Sequence, residues 1–487
     1  MGNRVAANWQ ERGIVAVPAI FTLGLLLILP GLTGQPLLHD SHELNPVWAD
    51  QFTAQLRQGV LYPRWLPDSH DGLGSPTFYF YPPLAFHAAG LIGLLGLSVY
   101  HSLMAAFGAF FALSGCGMWL WLRRRAAQPL LGALIFMALP YHVMDFSLRG
   151  ALAESLGFAL LPWIAIGLRR IAEQRSGTLL ALAYGALIMS HLPLALLTGF
   201  FLIAPYAIWH RSRLVPFLVS VGLGIGLASI TWLPALGLEP FRDTAHLYRG
   251  ANLTPEDWSL WRSSLTDESK LVFRLLCVSI VLPLLFLTYE RRDGWAIGGA
   301  GIALIALGVV PLLWSLPLLE KVQFPWRSLA LAEFALATVV ARRSNLSLGL
   351  LLTLVPAAAL SALFLIRVPT SPTVQLNRLL QTHPDVYEML PPGVVETKRN
   401  GLMPATAELH RGRIPPPEVA GMIVRPVFYF PRWSCGEPEP RTKLLMHRPD
   451  CSPRPVVTGW EKGALALSLL SLLLITGLPL AARRRAS

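Results

Sequence analysis

The sequence has little charge and few cysteines. Asp, Glu, Lys and Arg make up 14% of the 487 residues, hydrophobic residues make up 53%, and four residues are cysteine. Soluble globular chains carry roughly a quarter charged residues. No charged side chain occurs in residues 14–38, 294–319 or 346–366, and each stretch is long enough to cross about 30 Å of hydrocarbon as a helix. The composition therefore excludes a soluble globular protein, a disordered chain and a singly anchored enzyme.

Several common functional motifs are missing as well. The sequence contains no Cys-x-x-Cys pair, no glycine-rich phosphate loop and no His-Glu-x-x-His motif. The net charge of +12 would favour nucleic-acid binding in a soluble protein. The basic residues, however, form short clusters beside apolar segments: Arg123–Arg125, Arg169–Arg170, Arg211 with Arg213, Arg291–Arg292, Arg342–Arg343 and Arg483–Arg485. This is the positive-inside pattern, so we interpret the charge as a topology signal and expect no nucleic-acid partner.

The arginine clusters predict a multi-pass protein with both termini in the cytoplasm. The first span is predicted at residues 14–32, which is too long for a signal-peptide core and has no small-residue cleavage site after it. Further spans are predicted near 150–168, 177–190, 193–209, 214–236, 271–288, 294–316, 327–341, 346–366 and 461–481. Three apolar stretches lie between 83 and 140, at 83–99, 101–122 and 129–140. Counting all three as spans would place the C-terminal arginines outside, and 129–140 is short for a span. We expect 12 or 13 spans in total.

The pattern divides the chain into three parts. Residues 1–366 form a multi-span membrane domain with a first outer loop at 33–82, residues 367–459 form a small extracytoplasmic domain, and residues 460–487 form the last transmembrane helix with a cytoplasmic tail. Further outer loops are predicted at 237–270 and 317–326. The fold class is therefore an all-α polytopic membrane protein with a small C-terminal segment of partly β character.

The C-terminal outer segment is rich in proline and contains a β-like stretch at 422–430. It also contains two of the four cysteines, Cys435 and Cys451. With this topology both lie in an oxidising compartment, where disulfides persist. We predict a disulfide between them; two free thiols are the alternative.

The first outer loop carries the most informative carboxylates. Asp40 and Glu43 stand close together and are flanked by His39 and His42. A carboxylate held near the bilayer with a raised pKa can act as a general base. The same four side chains offer oxygen and nitrogen ligands for a divalent metal. A solvated turn that caps the next helix is the third interpretation.

That next helix is predicted over residues 46–58, beginning at Asn45-Pro46 and ending before Gly59. Its apolar stripe consists of Trp48, Phe52 and Leu56. Such a stripe can lie on the membrane surface or pack on the spans.

A second set of ionisable residues lies at the predicted outer ends of spans. The set comprises Arg149, Glu154, His191, Lys321 and Arg327. Ionisable groups at membrane depth are costly, so they are candidates for substrate binding. The alternative is that turn residues at a water interface pay little desolvation. For His191 alone, a place at the apex of a hairpin is the favoured interpretation over a role as a ligand. The three cations among them are suited to hold a lipid phosphate.

These residues resemble the GT-C superfamily of membrane glycosyltransferases, which combine an acidic residue at the exit of the first span with a long first outer loop and a many-span body. Several motifs are more closely similar to the bacterial YfhO-like family, whose members are often labelled as membrane proteins with a 6-pyruvoyl-tetrahydropterin-synthase-related domain. The motifs are His39-Asp40, residues 59–67, 74–83, 149–154, His191, residues 323–327 and residues 429–433. The resemblance covers most of the chain.

The resemblance implies transfer of a sugar from a polyprenyl-phosphate carrier to a glycan, lipid or protein acceptor on the outer face of a bacterial inner membrane. Asp40 matches the catalytic carboxylate and Glu43 is a second candidate. Arg149, Lys321 and Arg327 would offset charge on the departing phosphate. The Asp-x-Asp or Glu-x-Asp pattern of the superfamily is replaced by Asp-Ser-His-Glu, which leaves dependence on a divalent metal open.

Two other functions remain open from the sequence. A transporter or flippase of lipid-linked glycans predicts ionisable residues near the middle of spans and symmetric internal repeats. A non-catalytic envelope-assembly protein predicts that Asp40 is dispensable.

Overall fold

The computed structural model describes residues 2–247, 253–262, 268–394, 408–409, 411–417 and 419–484. Parts of the predicted outer segments 237–270 and 367–459, and Arg485 of the last basic cluster, therefore lie outside the described residues. The helices, in chain order, are α1 Gly2–Leu32, α2 Ser41–Arg57, α3 Thr77–Phe80, α4 Leu84–Gly93, α5 Val99–Leu122, α6 Pro129–Ala138, α7 Pro140–Ser147, α8 Leu152–Ala172, α9 Thr178–Ser190, α10 Leu192–Thr198, α11 Ala204–Trp209, α12 Leu214–Leu227, α13 Ser229–Leu238, α14 Glu268–Arg291, α15 Gly294–Ala306, α16 Leu329–Ala341, α17 Leu348–Ile366, α18 Thr373–Thr382 and α19 Gly459–Arg484.

Seven stretches of helix in the described part of the chain are long and apolar enough to cross a membrane. They are residues 14–32, 99–122, 152–172, 192–209, 268–290, 348–366 and 459–477. Two bent pairs, Pro129–Ala138 with Pro140–Ser147 and Arg211–Leu227 with Ser229–Phe241, raise the number to nine if each pair is one span. The polytopic helical class is confirmed, whereas the number of full-length spans falls short of the predicted 12 or 13.

Three of the predicted spans are short helices. α9, α15 and α16 have 13 residues each, about 20 Å of helix. The apolar stretch at 294–319 illustrates the reason. Its helix ends at Ala306, the chain turns at Gly308 with φ +79°, and Pro311 starts a separate 3₁₀ turn. Hydropathy records the apolar side chains there, but it does not record that glycine and proline interrupt the helix.

The ambiguous region between 83 and 140 contains one uninterrupted span, α5. The first apolar stretch forms only the ten-residue α4, which is followed by a turn at Gly96. The third stretch was predicted to be too short for a span, and by itself it forms only the ten-residue α6. The chain continues as α7 to Ser147 after a 43° bend, so the two helices together form either one broken span or a re-entrant segment. The bend falls at Leu139-Pro140, where proline cannot donate a helical hydrogen bond and disfavours helical geometry in the residue before it.

The helix of the first outer loop, α2, begins at Ser41, five residues before the predicted start. Pro46 is accommodated inside it. Trp48 and Phe52 of the predicted stripe are buried, and both rings contact Phe86. The stripe therefore packs on protein and does not lie on the membrane surface.

The C-terminal outer segment forms a small antiparallel sheet, which confirms its partly β character. Strand β3 (Leu444–His447) lies between β1 (Ile423–Phe428) and β2 (Glu437–Pro438). In the structure Cys435 and Cys451 are joined by a disulfide, with their Cα atoms 6.6 Å apart.

The outer segment is held against the first outer loop. Phe430, which follows β1, packs its ring on Tyr79 with centroids 4.8 Å apart. Asp385 accepts hydrogen bonds from the Trp48 indole (3.0 Å) and the Thr77 hydroxyl (2.8 Å). The first loop is thus covered by a segment more than 300 residues later in the chain.

The arginine clusters meet at one end of the helical bundle, called here the basic end. Arg169 donates to the backbone carbonyl of Trp121 (2.8 Å), and the Gln128 side chain donates to that of Arg343 (2.9 Å). The ion pairs of this end are Arg125 with Glu173, Arg342 with Asp293 (3.0 Å) and Arg343 with Glu290 (2.7 Å). The clusters that the sequence assigned to one side therefore share one end of the molecule.

Candidate functional site

The first outer loop joins the segment between α7 and α8 through a line of hydrogen bonds. The Ser41 amide donates to the Arg149 carbonyl (3.1 Å), and the Asn45 side chain donates to the Gly150 carbonyl (2.7 Å). Gly150 has φ +58°, and a Cβ there would lie 2.5 Å from the His42 ring. Only glycine allows the two segments to approach this closely. The contact places Asp40, directly before α2, beside Arg149.

Asp40 and Arg149 line one pocket of about 400 Å³. Much of its wall is aromatic, contributed by Trp258, Phe273 and Trp326. The two indoles pack edge to face with centroids 4.1 Å apart, and the Phe273 ring lies 5.3 Å from Trp326. Met144, Glu268, Ser269, Val272 and Leu276 complete the lining. The pocket therefore combines a carboxylate, a guanidinium and aromatic faces.

The environment of Asp40 suits a proton acceptor. Its side chain is accessible from the pocket. Partial burial by the surrounding protein penalises the charged form and raises the pKa of the Asp40 carboxyl, an effect that the positive charges of Arg149 and Arg327 oppose without cancelling it. Burial also lowers the pKa of His39, which favours the neutral imidazole. A carboxylate with a raised pKa is a stronger base than an ordinary one.

Behind the pocket lies a buried charge cluster formed by Tyr141, Asp145, Arg149, Glu154, His191 and Arg327. Arg149 forms an ion pair with Asp145 and a second one with Glu154 (2.8 Å). Glu154 Oε2 is also 3.8 Å from His191 Nε2 and 3.7 Å from Arg327 Nε. The Tyr141 hydroxyl donates to the other Glu154 oxygen. Glu154 thus connects Arg149, His191 and Arg327, three residues that the sequence analysis named separately.

Glu333 supports this cluster and was not identified from the sequence. It is the only charged residue of α16 and is fully buried. Its carboxylate accepts the backbone amides of Tyr141 (2.7 Å) and His142 (3.2 Å), at the start of α7 directly after the bend. A carboxylate at a helix N-terminus satisfies amides that have no partner within the helix. One sequence signal could have identified Glu333, namely a lone acidic residue in an otherwise apolar helix.

Two of the predicted residues belong neither to the pocket lining nor to the buried charge cluster behind it. Glu43 is exposed, in the first turn of α2. Lys321 is 62% exposed and pairs with Glu320 (3.1 Å). The structure therefore brings Asp40, Arg149, Glu154, His191 and Arg327 together, without Glu43 and Lys321.

The predicted metal ligands do not form a coordination group. Within the described residues no set of three His, Cys, Asp or Glu side chains is arranged to hold a metal ion. The ring of His42 is buried, and its Nε2 hydrogen-bonds the Phe146 carbonyl at 2.7 Å, so this nitrogen is not available as a ligand. The quartet of His39, Asp40, His42 and Glu43 therefore does not fit a metal centre.

Comparison with known proteins gives few relatives. No protein-family model matches the chain, and no curated protein matches significantly. The resemblance to the YfhO-like family is therefore not supported by a family match. The chain is similar to the cryo-EM structure of the arabinofuranosyltransferase AftD from Mycobacteria, with a TM-score of 0.44 and 17% identity over 72% of this chain and 27% of that one. A mutant of AftD gives a TM-score of 0.46 and 16% identity, over 72% and 28%. The chain thus spans about a quarter of those chains. Because both TM-scores are low, we base the functional proposal on the site.

Proposed function

We propose that the protein is an integral membrane glycosyltransferase of the GT-C type. It transfers a sugar from a polyprenyl-phosphate donor to a glycan, lipid or protein acceptor at the outer face of a bacterial inner membrane. The observation that carries the proposal is that Asp40 and Arg149 face one pocket with an aromatic wall. A base, a cation and apolar faces are what a sugar transfer from a lipid phosphate needs.

In the proposed reaction Asp40 is the general base. Its carboxylate accepts the proton of the acceptor hydroxyl while the hydroxyl oxygen attacks the anomeric carbon of the donor sugar. The bond between that carbon and the phosphate oxygen breaks, and its electron pair leaves with the phosphate. A single displacement of this kind inverts the anomeric configuration. Asp40 then releases its proton to water through the pocket.

The arginines stabilise the negative charge that develops on the departing phosphate. Arg149 is held in place by Asp145 and Glu154, so its guanidinium does not have to reorganise during the reaction. Arg327 is buried, and its Nε has no hydrogen-bond partner within the described residues. Both are suited to charge-assisted hydrogen bonds with phosphate oxygens.

The aromatic wall supplies the binding surface. Trp258 and Trp326 offer apolar faces with polar N–H edges, a combination that suits the ring of a sugar or the first units of an isoprenoid chain. The donor arrives with an activated bond, so the protein has to position the reactants and stabilise charge. That requirement accounts for catalysis without a nucleotide-binding fold.

The test is Asp40→Asn in purified protein reconstituted in liposomes, assayed with polyprenyl-phosphate sugars and envelope acceptor extracts. The amide is nearly isosteric but cannot accept the proton, so we expect transfer to fall by about 10²–10⁴-fold. The matched control is Glu320→Gln, which removes an exposed carboxylate from the loop before α16. Full transfer by Asp40→Asn would exclude the proposed base. Movement of the lipid-linked sugar across the bilayer without transfer would instead identify a flippase.

A further inference from the structure

A second pocket, of about 440 Å³, lies at the basic end of the bundle. Its volume falls in the range of small-molecule sites, roughly 300–1,000 Å³. Arg125, His210 and Arg342 line it together with aromatic side chains that include Trp121 and Trp295. None of these residues belongs to the site around Asp40, so this pocket has its own ligand chemistry.

The apolar wall is shaped by small residues and by an irregular helix. Gly298 lies on the α15 face of the pocket, and a Cβ added there would meet no atom within 4 Å. Phe201 and Leu202, which also line the pocket, belong to a π-helical turn, Gly199–Ile203, between α10 and α11. Such turns are rare and are frequent at functional sites. The result is an apolar groove open to a bound chain.

Positive charge dominates the surroundings of this groove. The helix ends and connections at the basic end, residues 123–128, 169–177, 210–213, 290–293 and 342–347, carry twelve arginines and three carboxylates. Arg125 is paired with Glu173, and Arg342 is paired with Asp293. Each pair uses only some of the five N–H donors of its arginine, so donors remain for a phosphate. Trp209, 85% exposed at the groove, marks the depth of a membrane interface. Basic pockets between spans on the cytoplasmic side are suited to phosphate headgroups.

We propose that this groove binds one anionic phospholipid. The acyl chain of the lipid lies against Gly298, Phe201 and Trp295, and the lipid phosphate contacts Arg125 and Arg342. The charge complementarity at the mouth and the apolar wall beneath it select a ligand that is anionic at one end and aliphatic at the other. The site is independent of the proposed sugar transfer.

The test is native mass spectrometry of the purified full chain with added phosphatidylglycerol, phosphatidylcholine or polyprenyl phosphate. Two pairs of variants separate the groove from its surroundings. Gly298→Leu fills the groove, whereas Gly301→Leu adds the same side chain on α15 at a position that does not line it and where a Cβ also meets no atom within 4 Å. Arg125→Gln removes a groove cation, whereas Arg124→Gln removes an exposed neighbour with the same change in net charge.

We expect phosphatidylglycerol to bind in preference to phosphatidylcholine, and its affinity to fall roughly fivefold in Arg125→Gln and in Gly298→Leu. The paired variants Arg124→Gln and Gly301→Leu should bind as the parent does. Equal losses in both arginine variants would overturn the proposal in favour of diffuse attraction to the basic surface. Equal binding of the two phospholipids would also overturn it. A loss of polyprenyl phosphate in Arg125→Gln and Gly298→Leu that exceeds the loss of phosphatidylglycerol would overturn it as well, whereas polyprenyl phosphate that these variants still bind belongs to the pocket around Asp40.

Discussion

The two ends of the helical bundle use similar residues in different surroundings. At the basic end Arg125 and Glu173 form an ion pair whose side chains are 53% and 36% exposed. At the other end Arg149 pairs with Asp145 and Glu154, which are 0% and 1% exposed. An exposed ion pair contributes little to stability because water already solvates both charges. A buried one is costly to assemble, and neither member tolerates loss of the other. The comparison separates a solvated end, which carries the basic clusters, from a buried end, which carries the groups of the proposed reaction.

The largest expected difference between the ends is in stability. Arg149→Met leaves Asp145 buried without its cation and Glu154 with only the more distant Arg327 and His191, so we expect a loss of about 3–5 kcal/mol in the free energy of unfolding. Arg125→Met at the basic end should cost about 1 kcal/mol or less. Thermal unfolding of both variants in the same detergent measures the contrast. Equal shifts in melting temperature would show that burial does not separate the two ends.

A smaller effect is expected at the support of the buried charge cluster. Glu333→Leu removes the acceptor of the Tyr141 and His142 amides and leaves both donors buried, which should cost about 2 kcal/mol. Glu333→Gln keeps one carbonyl acceptor and should recover part of the loss. The order parent, Gln variant, Leu variant in melting temperature is the expected result. A Leu variant as stable as the parent would contradict the capping role.

The pH dependence of transfer should reveal the environment of Asp40. The carboxyl must be deprotonated to accept a proton, so the rate is maximal above its pKa and falls tenfold per unit below it. Because burial raises the pKa of Asp40, the acid limb should lie at higher pH than for a solvated carboxyl. A rate profile from acid to neutral pH measures this limb, with Glu320→Gln as the unshifted control. A limb at or below the range of ordinary carboxyls would contradict the assignment.

The smallest effect is expected at Lys321, which the sequence nominated for phosphate binding. Its side chain is exposed and paired with Glu320, so Lys321→Gln should change the Michaelis constant for the lipid-phosphate donor by less than about twofold. Arg327→Gln, measured in parallel, should raise that constant or lower the turnover clearly. A large effect at Lys321 would move the phosphate site out of the buried cluster.

The membrane class and much of the site could be predicted because they depend on local composition. The spans 14–32 and 348–366 follow from uninterrupted apolar sequence, and their observed bounds agree with the prediction within two residues. Asp40 and Arg149 were named because ionisable groups are rare in such a chain. Their proximity, however, was not predictable, because it results from contacts between segments more than 100 residues apart.

The misses have physical causes of the same kind. The start of α2 was placed at Asn45-Pro46 because that pair is a common helix start, but a hydrogen bond from the Ser41 amide to Arg149 helps to extend the helix backwards. Glu333 was missed because its partners, Tyr141 and His142, lie about 190 residues earlier in the chain. Short helices such as α15 were predicted as full spans because hydropathy does not measure where a helix stops.

The hydrogen bonds between the first outer loop and Arg149-Gly150 have a further consequence for movement. The amide of Ser41, the residue after Asp40, donates a hydrogen bond to the carbonyl of Arg149 itself. The Asn45 side chain donates another to the carbonyl of the adjoining Gly150. When the helices tilt to admit a donor or release a product, Asp40 and Arg149 should travel as one rigid unit. In the proposed reaction the spacing between the proton acceptor and the cation would then stay fixed while the pocket admits the donor or releases a product.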